Sequence, residues 1–498
     1  MKAKDQPPKI KQSFTLGANH LTLLVIVVLT LIRTSALAIS PLELGVDEAQ
    51  YWLWSQTPNF GYFTKPPLIA WIISGSHWLF GHNEMAVRLP ACWLHLATAL
   101  TLWQTAAWLY GQRAGRWAAL IWITLPAVGI GSFLISTDTP LLLCLALALL
   151  AIAGSECRKI PSAHAFIYAG FALGVGMLAK YAALYGLFGF LLIWALGRHR
   201  PTPVICGKHL LLALVAFLVA ASPNLIWNFM HDFSTVRHIG DNANLSKQTN
   251  NLAESLYFFI TQAGVVGPLT FLLMFGILNA ARHERHASWL IWMAVPVLIM
   301  MSIQAYLSDA NANWAMTAYP ALSVWLGGWI ASHFNTGERV SKTAIWLGYG
   351  ATGINVSLVV ALLGITMVGS LGPLNLKSDP LRRLRGWHKL ASDLEPFLVT
   401  HKANRIIADR RVTASLLSWY FHDKPVTIMV HDADGTPSNH FEANHSWQHK
   451  AGSPILVLSG SIDAPRIPNI DWKSTPKQSH TKISHNRERN FYIHFGVE

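Results

Sequence analysis

Residues 21–40, 254–280, 287–307 and 343–370 are each mostly apolar, and each is long enough to cross a hydrocarbon core of about 30 Å as a helix. Backbone polar groups inside a bilayer have no water to bond, so such segments satisfy them internally as helices. Composition agrees. Of 498 residues, 52% are hydrophobic and 13% charged, against about 25% charged in soluble domains. The fold class is therefore an α-helical polytopic membrane protein.

Spans are expected over 21–40, 87–110, 117–135, 139–155, 165–179, 181–197, 209–227, 254–280, 287–307, 314–333 and 343–370, about eleven in all. The fifth and sixth are short and meet at Lys180, as partial helices do when their tips enclose a buried site. Lys2, Lys4, Lys9 and Lys11 precede the first span. That span exceeds a signal-peptide core of about 7–15 residues, so a retained helix is expected.

The formal charge is +13, yet the cations sit in short loops rather than on one face, which argues against a nucleic-acid partner. With the N-terminus inside, the inner loops hold Arg113, Arg116, Arg158, Lys159, Arg198, Arg200, Lys208, Arg282, Arg285, Arg339 and Lys342. The outer loops hold only Lys65, Arg88, Lys180, Arg237 and Lys247. This imbalance places residues 41–86, 136–138, 228–253, 308–313 and everything after 371 on the outer side. Cys92, Cys144, Cys157 and Cys206 show no CxxC spacing, and neither a disulfide framework nor a metal site is expected.

Two domains follow, a membrane domain over 1–370 that includes the outer loop 41–86, and a soluble α/β domain over 371–498. In the latter, helix-like 381–398 and 411–421 alternate with strand-like 404–409, 426–430, 454–458 and 491–495. HDADG at 431–435 has alternating acids but lacks the later ligands of a calcium loop.

Chemistry concentrates in the outer loops. VDEAQYW begins a helix expected over 46–60, with Asp47, Gln50, Tyr51 and Trp54 on one face and Glu48 and Trp52 on a neighbouring one. The rings suit a membrane interface, and carboxylates at an apolar boundary are functional candidates. GYFTKPPLIAW follows, where Tyr62 precedes Lys65 and two prolines hold the backbone extended. Lys65 either snorkels to lipid headgroups or clamps a lipid-linked phosphate, and Arg88 in AVRLP is a second such cation. STDTP brings Asp138 to the same side, with Ser136 or Thr137 available as a helix cap. AKYAALY places Lys180 and Tyr181 between apolar segments, WNFMHDFSTVRHIG adds His231, Asp232, Arg237 and His238, and NANWAMTAYP adds Trp314 and Tyr319. Outward acids, outward cations and aromatic rings imply a membrane-embedded site for an anionic, lipid-tethered substrate.

The run DEAQYWLWSQTPNFGYFTKPPLIAWIISGSHWLFGHNEMAVRLPA, with STDTP, AKYAAL and ASPNLIWN, resembles bacterial GT-C glycosyltransferases. The nearest branches are the protein mannosyltransferase-like enzymes and the lipid A aminoarabinose transferases. The resemblance implies a GT-C-like enzyme of the bacterial inner membrane, with its active site and C-terminal domain facing the periplasm. Its implied partners are a polyprenyl-phosphate sugar donor and a lipid A, glycan or protein acceptor, with no cofactor. By the same resemblance, Asp47 matches the catalytic base, Glu48 its motif neighbour, Lys65 the cation on the donor phosphate and Asp138 the acid of the second outer loop. Gln50 stands where aminoarabinose transferases carry Arg, which removes one cation from the donor site and leaves the sugar open.

The implied reaction is attack of an acceptor hydroxyl on the anomeric carbon, opposite the departing phosphate, with inversion. An aspartate is a weak base for a hydroxyl, so the role of Asp47 calls for partial burial. The leaving phosphate needs fixed cations, supplied by Lys65, Arg88, Arg237 and Lys180. Tyr51, Trp54, Tyr62, Tyr181 and Trp314 are expected to line donor and acceptor. A flippase for a lipid-linked sugar is the non-enzymatic alternative, although no two-fold repeat is visible. A polysaccharide polymerase or ligase differs mainly in acceptor.

Overall fold

A computed structural model describes residues 10–196, 205–243, 250–278, 286–308, 310–334, 339–370, 379–484 and 487–498. Of the loop cations above, Lys2, Lys4, Lys9, Arg198, Arg200, Lys247, Arg282 and Arg285 lie outside them. The chain forms two compact units. One comprises Met1–Leu37, Leu89–Ile226 and Gly240–Leu363, the other Ala38–Arg88, Trp227–Ile239 and Gly364–Glu498. The second unit thus gathers the C-terminal sheet together with the acidic segment 41–86.

Among the described residues, seven helices are long and apolar enough to cross a membrane, or up to eight if a bent pair counts as one span. The expected spans 117–135, 181–197 and 314–333 are each assembled from shorter pieces: Gln112–Thr124 with Pro126–Gly131, Tyr181–Ala183 with Leu184–Leu196, and Ala312–Ala318 with Tyr319–Ser332. Pro126 cannot donate into a helix ladder, and the break beside it leaves the Ile123 carbonyl to the buried guanidinium of Arg33, 2.7 Å away.

The expected continuous span 254–280 is instead bent by 112° between Leu252–Val266 and Pro268–Gly276. Gly267 sits at φ +91°, where a Cβ would lie 1.7 Å from the Asn355 amide oxygen. Asn355 fills the break, donating to the Val266 carbonyl (2.9 Å) and to Thr270 (3.0 Å). A broken helix in a membrane protein persists where side chains take up its freed backbone groups in this way.

In the second unit the sheet runs β2-β1-β3-β6-β4, with β5 also paired to β6. β1 is Arg405–Ala408, β2 Thr427–Val430, β3 Pro454–Ser459, β4 Asp471–Trp472, β5 Lys477–Ser484 and β6 Arg487–Val497. β1 lies parallel to β2 and β3, and β6 closes antiparallel on β3. The short runs of β1 and β2 are apolar because a parallel strand is covered on both faces. Ile407, Met429, Ile455 and Val457 form their shared core. The helix Arg411–Tyr420 connects β1 to β2. The two acids of HDADG cap a tight turn, Asp432 accepting from the Gly435 N–H and Asp434 from the Thr436 N–H.

His440 begins a short helix beneath Trp54, its ring centroid 5.6 Å from the indole. Burial, aided by the nearby His445 and Arg411, lowers its pKa from 6.5 to about 3. A histidine whose folded pKa lies below its unfolded value stabilises the fold above pH 6.5 and loses that contribution as pH falls toward 3. Hydrogen-exchange protection of β1 to β3 is expected to decline over that window, with a shallower decline in His440→Gln.

Candidate active site

The motif helix runs Val46–Gln56, and Thr57 and Pro58 end it before the expected residue 60. Its two acids separate as their one-residue offset requires. Glu48 turns inward and is 3% exposed, whereas the Asp47 side chain is 62% exposed.

Glu48 accepts the Gly45 N–H at 2.8 Å, which satisfies an orphan amide of the helix start. It also takes a two-pronged bond from Arg88, Nε to Oε1 at 3.0 Å and Nη2 to Oε2 at 2.8 Å. Arg88 then donates to the Leu42 carbonyl (2.8 Å) and the Glu43 carbonyl (2.7 Å). Its donors are spent on the loop, and it is 3% exposed. Charge-assisted forks of this kind are strong and directional.

The expected interfacial rings of the motif helix are inside the protein. Trp54 stacks on Tyr62 with centroids 4.7 Å apart and planes 6° from parallel. The Tyr62 hydroxyl donates to the Trp54 carbonyl at 2.9 Å. Burial pushes that hydroxyl up to about 12, so it stays protonated. Trp52 meets Trp419 edge-on at 4.9 Å, and Tyr51 is buried against Trp54. Packing within the unit outcompetes the membrane interface for these surfaces, because a large ring releases more area when fully enclosed.

Lys65 is half-buried beside Pro66, and its carbonyl accepts the Tyr62 N–H at 3.0 Å. Thr235 donates to the Tyr62 carbonyl at 2.8 Å. This contact ties the helix that carries the exposed Arg237 to the Lys65 loop.

Arg411, from the C-terminal fold, completes the surroundings of Asp47. Its guanidinium pairs with the Asp47 carboxylate and also donates to the Gln50 amide oxygen.

In the first unit, Asp138 opens the helix Asp138–Glu156, and Thr137 makes no side-chain cap. Lys180, at the break between two helices, bonds Asp138 at 2.7 Å, and Asn313 bonds its other oxygen at 2.9 Å. The Tyr181 hydroxyl donates to Asn224 at 2.8 Å, and Trp314 is half-buried. Asp138, Thr139, Thr261, Asn311 and Asn313 line the polar part of a cavity of 540 Å³, and His95 adds a buried imidazole.

Residues 64–227 match the dolichyl-phosphate-mannose-protein mannosyltransferase family. A lipid A galacturonosyltransferase of Rhizobium johnstonii is 34% identical over 91% of this chain and 94% of its own length. The chain belongs to the GT-C glycosyltransferase superfamily. An undecaprenyl phosphate-α-4-amino-4-deoxy-L-arabinose arabinosyl transferase of Erwinia tasmaniensis is 24% identical over 66% of this chain and 59% of that protein. The fold is shared with ArnT from Cupriavidus metallidurans, solved bound to undecaprenyl phosphate. The TM-score is 0.64 at 16% identity, over 96% of this chain and 98% of that one. An oligosaccharyltransferase from Archaeoglobus fulgidus aligns at a TM-score of 0.51 and 12% identity, over 87% of this chain and 67% of that one.

In this glycosyltransferase the sequence motif located Asp47 but not its partner Arg411, some 360 residues away in the chain. The available signal was Arg410 and Arg411 opening a helix with no acid in its first turn, where the helix dipole disfavours cations.

Arg88→Ala is expected to destabilise the protein by about 3–5 kcal/mol, because it leaves the Glu48 charge buried without a partner. Thermal unfolding of the detergent-solubilised chain reads the change. Glu48→Gln is expected to lose less, since its amide still accepts the Gly45 N–H.

Proposed function

We propose that this glycosyltransferase moves a sugar from a polyprenyl phosphate to lipid A at the periplasmic face of the inner membrane, with inversion, and that the sugar is a galacturonosyl residue. The observation that carries the chemistry is Asp47, an exposed carboxylate on a helix whose other face is fixed by a buried ion pair. The acceptor and sugar rest on the relative that matches nearly the whole chain. The polyprenyl donor rests on that family and on the shared fold.

In this mechanism Asp47 takes the proton of an acceptor hydroxyl as its oxygen bonds the anomeric carbon. The bond from that carbon to the phosphate oxygen breaks, and its electron pair leaves on the phosphate. Asp47 is exposed, so the desolvation that strengthens a carboxylate base comes from the bound substrates themselves. Lys65 and Arg237 meet the charge that grows on the phosphate. Glu48 and Arg88 act on the loop geometry and touch no substrate. In the first unit, we assign the cavity beside Asp138, Lys180 and Asn313 to the binding of a lipid-borne substrate, its apolar wall taking chain and its polar mouth taking headgroup.

The test is transfer from undecaprenyl phosphate-linked galacturonate to lipid A by the purified protein, read by mass spectrometry. Asp47→Asn is expected to keep donor affinity and lose about 10²–10⁴-fold in rate, the scale of general-base catalysis. Normal turnover in that variant removes Asp47 from the role, and no transfer by the native chain removes the reading.

A further inference from the structure

Arg411 stands where a stabilising residue would not be placed. It opens the helix Arg411–Tyr420, with Arg410 at the cap position and no acid in the first turn. The positive end of the dipole opposes cations there. Its ion pair with Asp47 is open to solvent, with side chains 35% and 62% exposed, and such pairs contribute little to stability. Gln50 spends its carbonyl oxygen on Arg411 while its own buried amide nitrogen has no acceptor among the described residues. An unpaired buried N–H is destabilising. The arrangement gives up stability in order to aim one guanidinium at the reacting carboxylate.

That pairing also conflicts with catalysis. One Asp47 oxygen is held by the Arg411 guanidinium, so it is occupied by that donor rather than open to an acceptor hydroxyl. A guanidinium is a planar fork that matches carboxylate and phosphate oxygens alike. A ligand with an anionic oxygen therefore competes with Asp47 for Arg411.

We infer that Arg411 is a donor-responsive positioning residue: an anionic oxygen of the incoming donor takes its guanidinium over from Asp47 and frees that carboxylate to act as base. This inference rests on the glycosyltransferase reading of the site. Gln50 keeps hold of the guanidinium, so the exchange is a short pivot about a fixed point. The anionic oxygen belongs either to the phosphate of the carrier or to the carboxylate of a uronosyl group, and two probes separate these sources.

Binding of undecaprenyl phosphate, and of undecaprenyl phosphate bearing a galacturonosyl residue, is titrated on the full chain in detergent. Native protein, Arg411→Ala and Arg411→Lys are compared, with thermal unfolding to establish that each is folded. Arg411→Ala is expected to weaken binding 10-fold or more, and Arg411→Lys to recover part of it. Equal weakening for both probes assigns the contact to the carrier phosphate. Weakening confined to the galacturonosyl probe assigns it to the sugar carboxylate. In steady-state transfer, donor KM is expected to rise at Arg411→Ala while kcat stays within a few-fold. Unchanged affinity for both probes in folded Arg411→Ala overturns the inference, as does a fall in kcat with KM unchanged. A native chain that binds donor through Arg411 but transfers nothing overturns the proposed function and, with it, the freeing of a base, and leaves standing only the contact of Arg411 with the anionic ligand.

Discussion

The buried pair of Glu48 and Arg88 is the interaction on which the second unit's site depends. Two charged side chains, each 3% exposed, would be expensive alone. Here every prong is used: the carboxylate meets the guanidinium twice and the Gly45 amide once, and the guanidinium reaches two loop carbonyls. The pair therefore closes residues 42–48 onto the first turn of the helix that starts at Glu84. The motif helix leaves that clasp in a set direction, and a one-residue step along it points Asp47 outward.

The remaining faces of the motif helix are held by different forces. Trp54 is enclosed by Tyr62 and His440, and Trp52 by Trp419 and the imidazoles of His82 and His422. Apolar burial thus fixes the back of the helix, and one deep ion pair fixes its start. What remains free is the edge carrying Asp47, where Gln50 and Arg411 meet it. Rigid support behind a solvent-exposed ion pair is the arrangement that the proposed general base at Asp47 calls for, since the base must be placed but not locked.

Much of the membrane fold was legible because apolar length is a strong signal, as at Gly17–Ile39 and Lys342–Val368. Breaks were less legible. Gly267 and Pro126 mark them, but the partners that make them tolerable, Asn355 and Arg33, are distant in sequence. In the sheet, apolar β1, β2 and β3 were readable. β5, with the sequence KQSHTKIS, was not, because its pairing with β6 draws on backbone bonds rather than on an alternating apolar face. The local motif singled out both acids and Lys65 as candidates, yet periodicity alone does not show that Glu48 is buried against Arg88 while Asp47 stays exposed beside Arg411. That division depends on Arg88 and Arg411, one 40 residues from Glu48 and the other 364 from Asp47.

The central claim is this division of labour between adjacent carboxylates. The most direct measurement is the single-turnover transfer rate of Glu48→Gln at saturating donor, taken on protein shown to be folded. The account predicts a rate within about 10-fold of the native chain, because Glu48 shapes the loop and exchanges no proton. A loss of about 10²–10⁴-fold in intact protein, the scale of removing a general base, would contradict it.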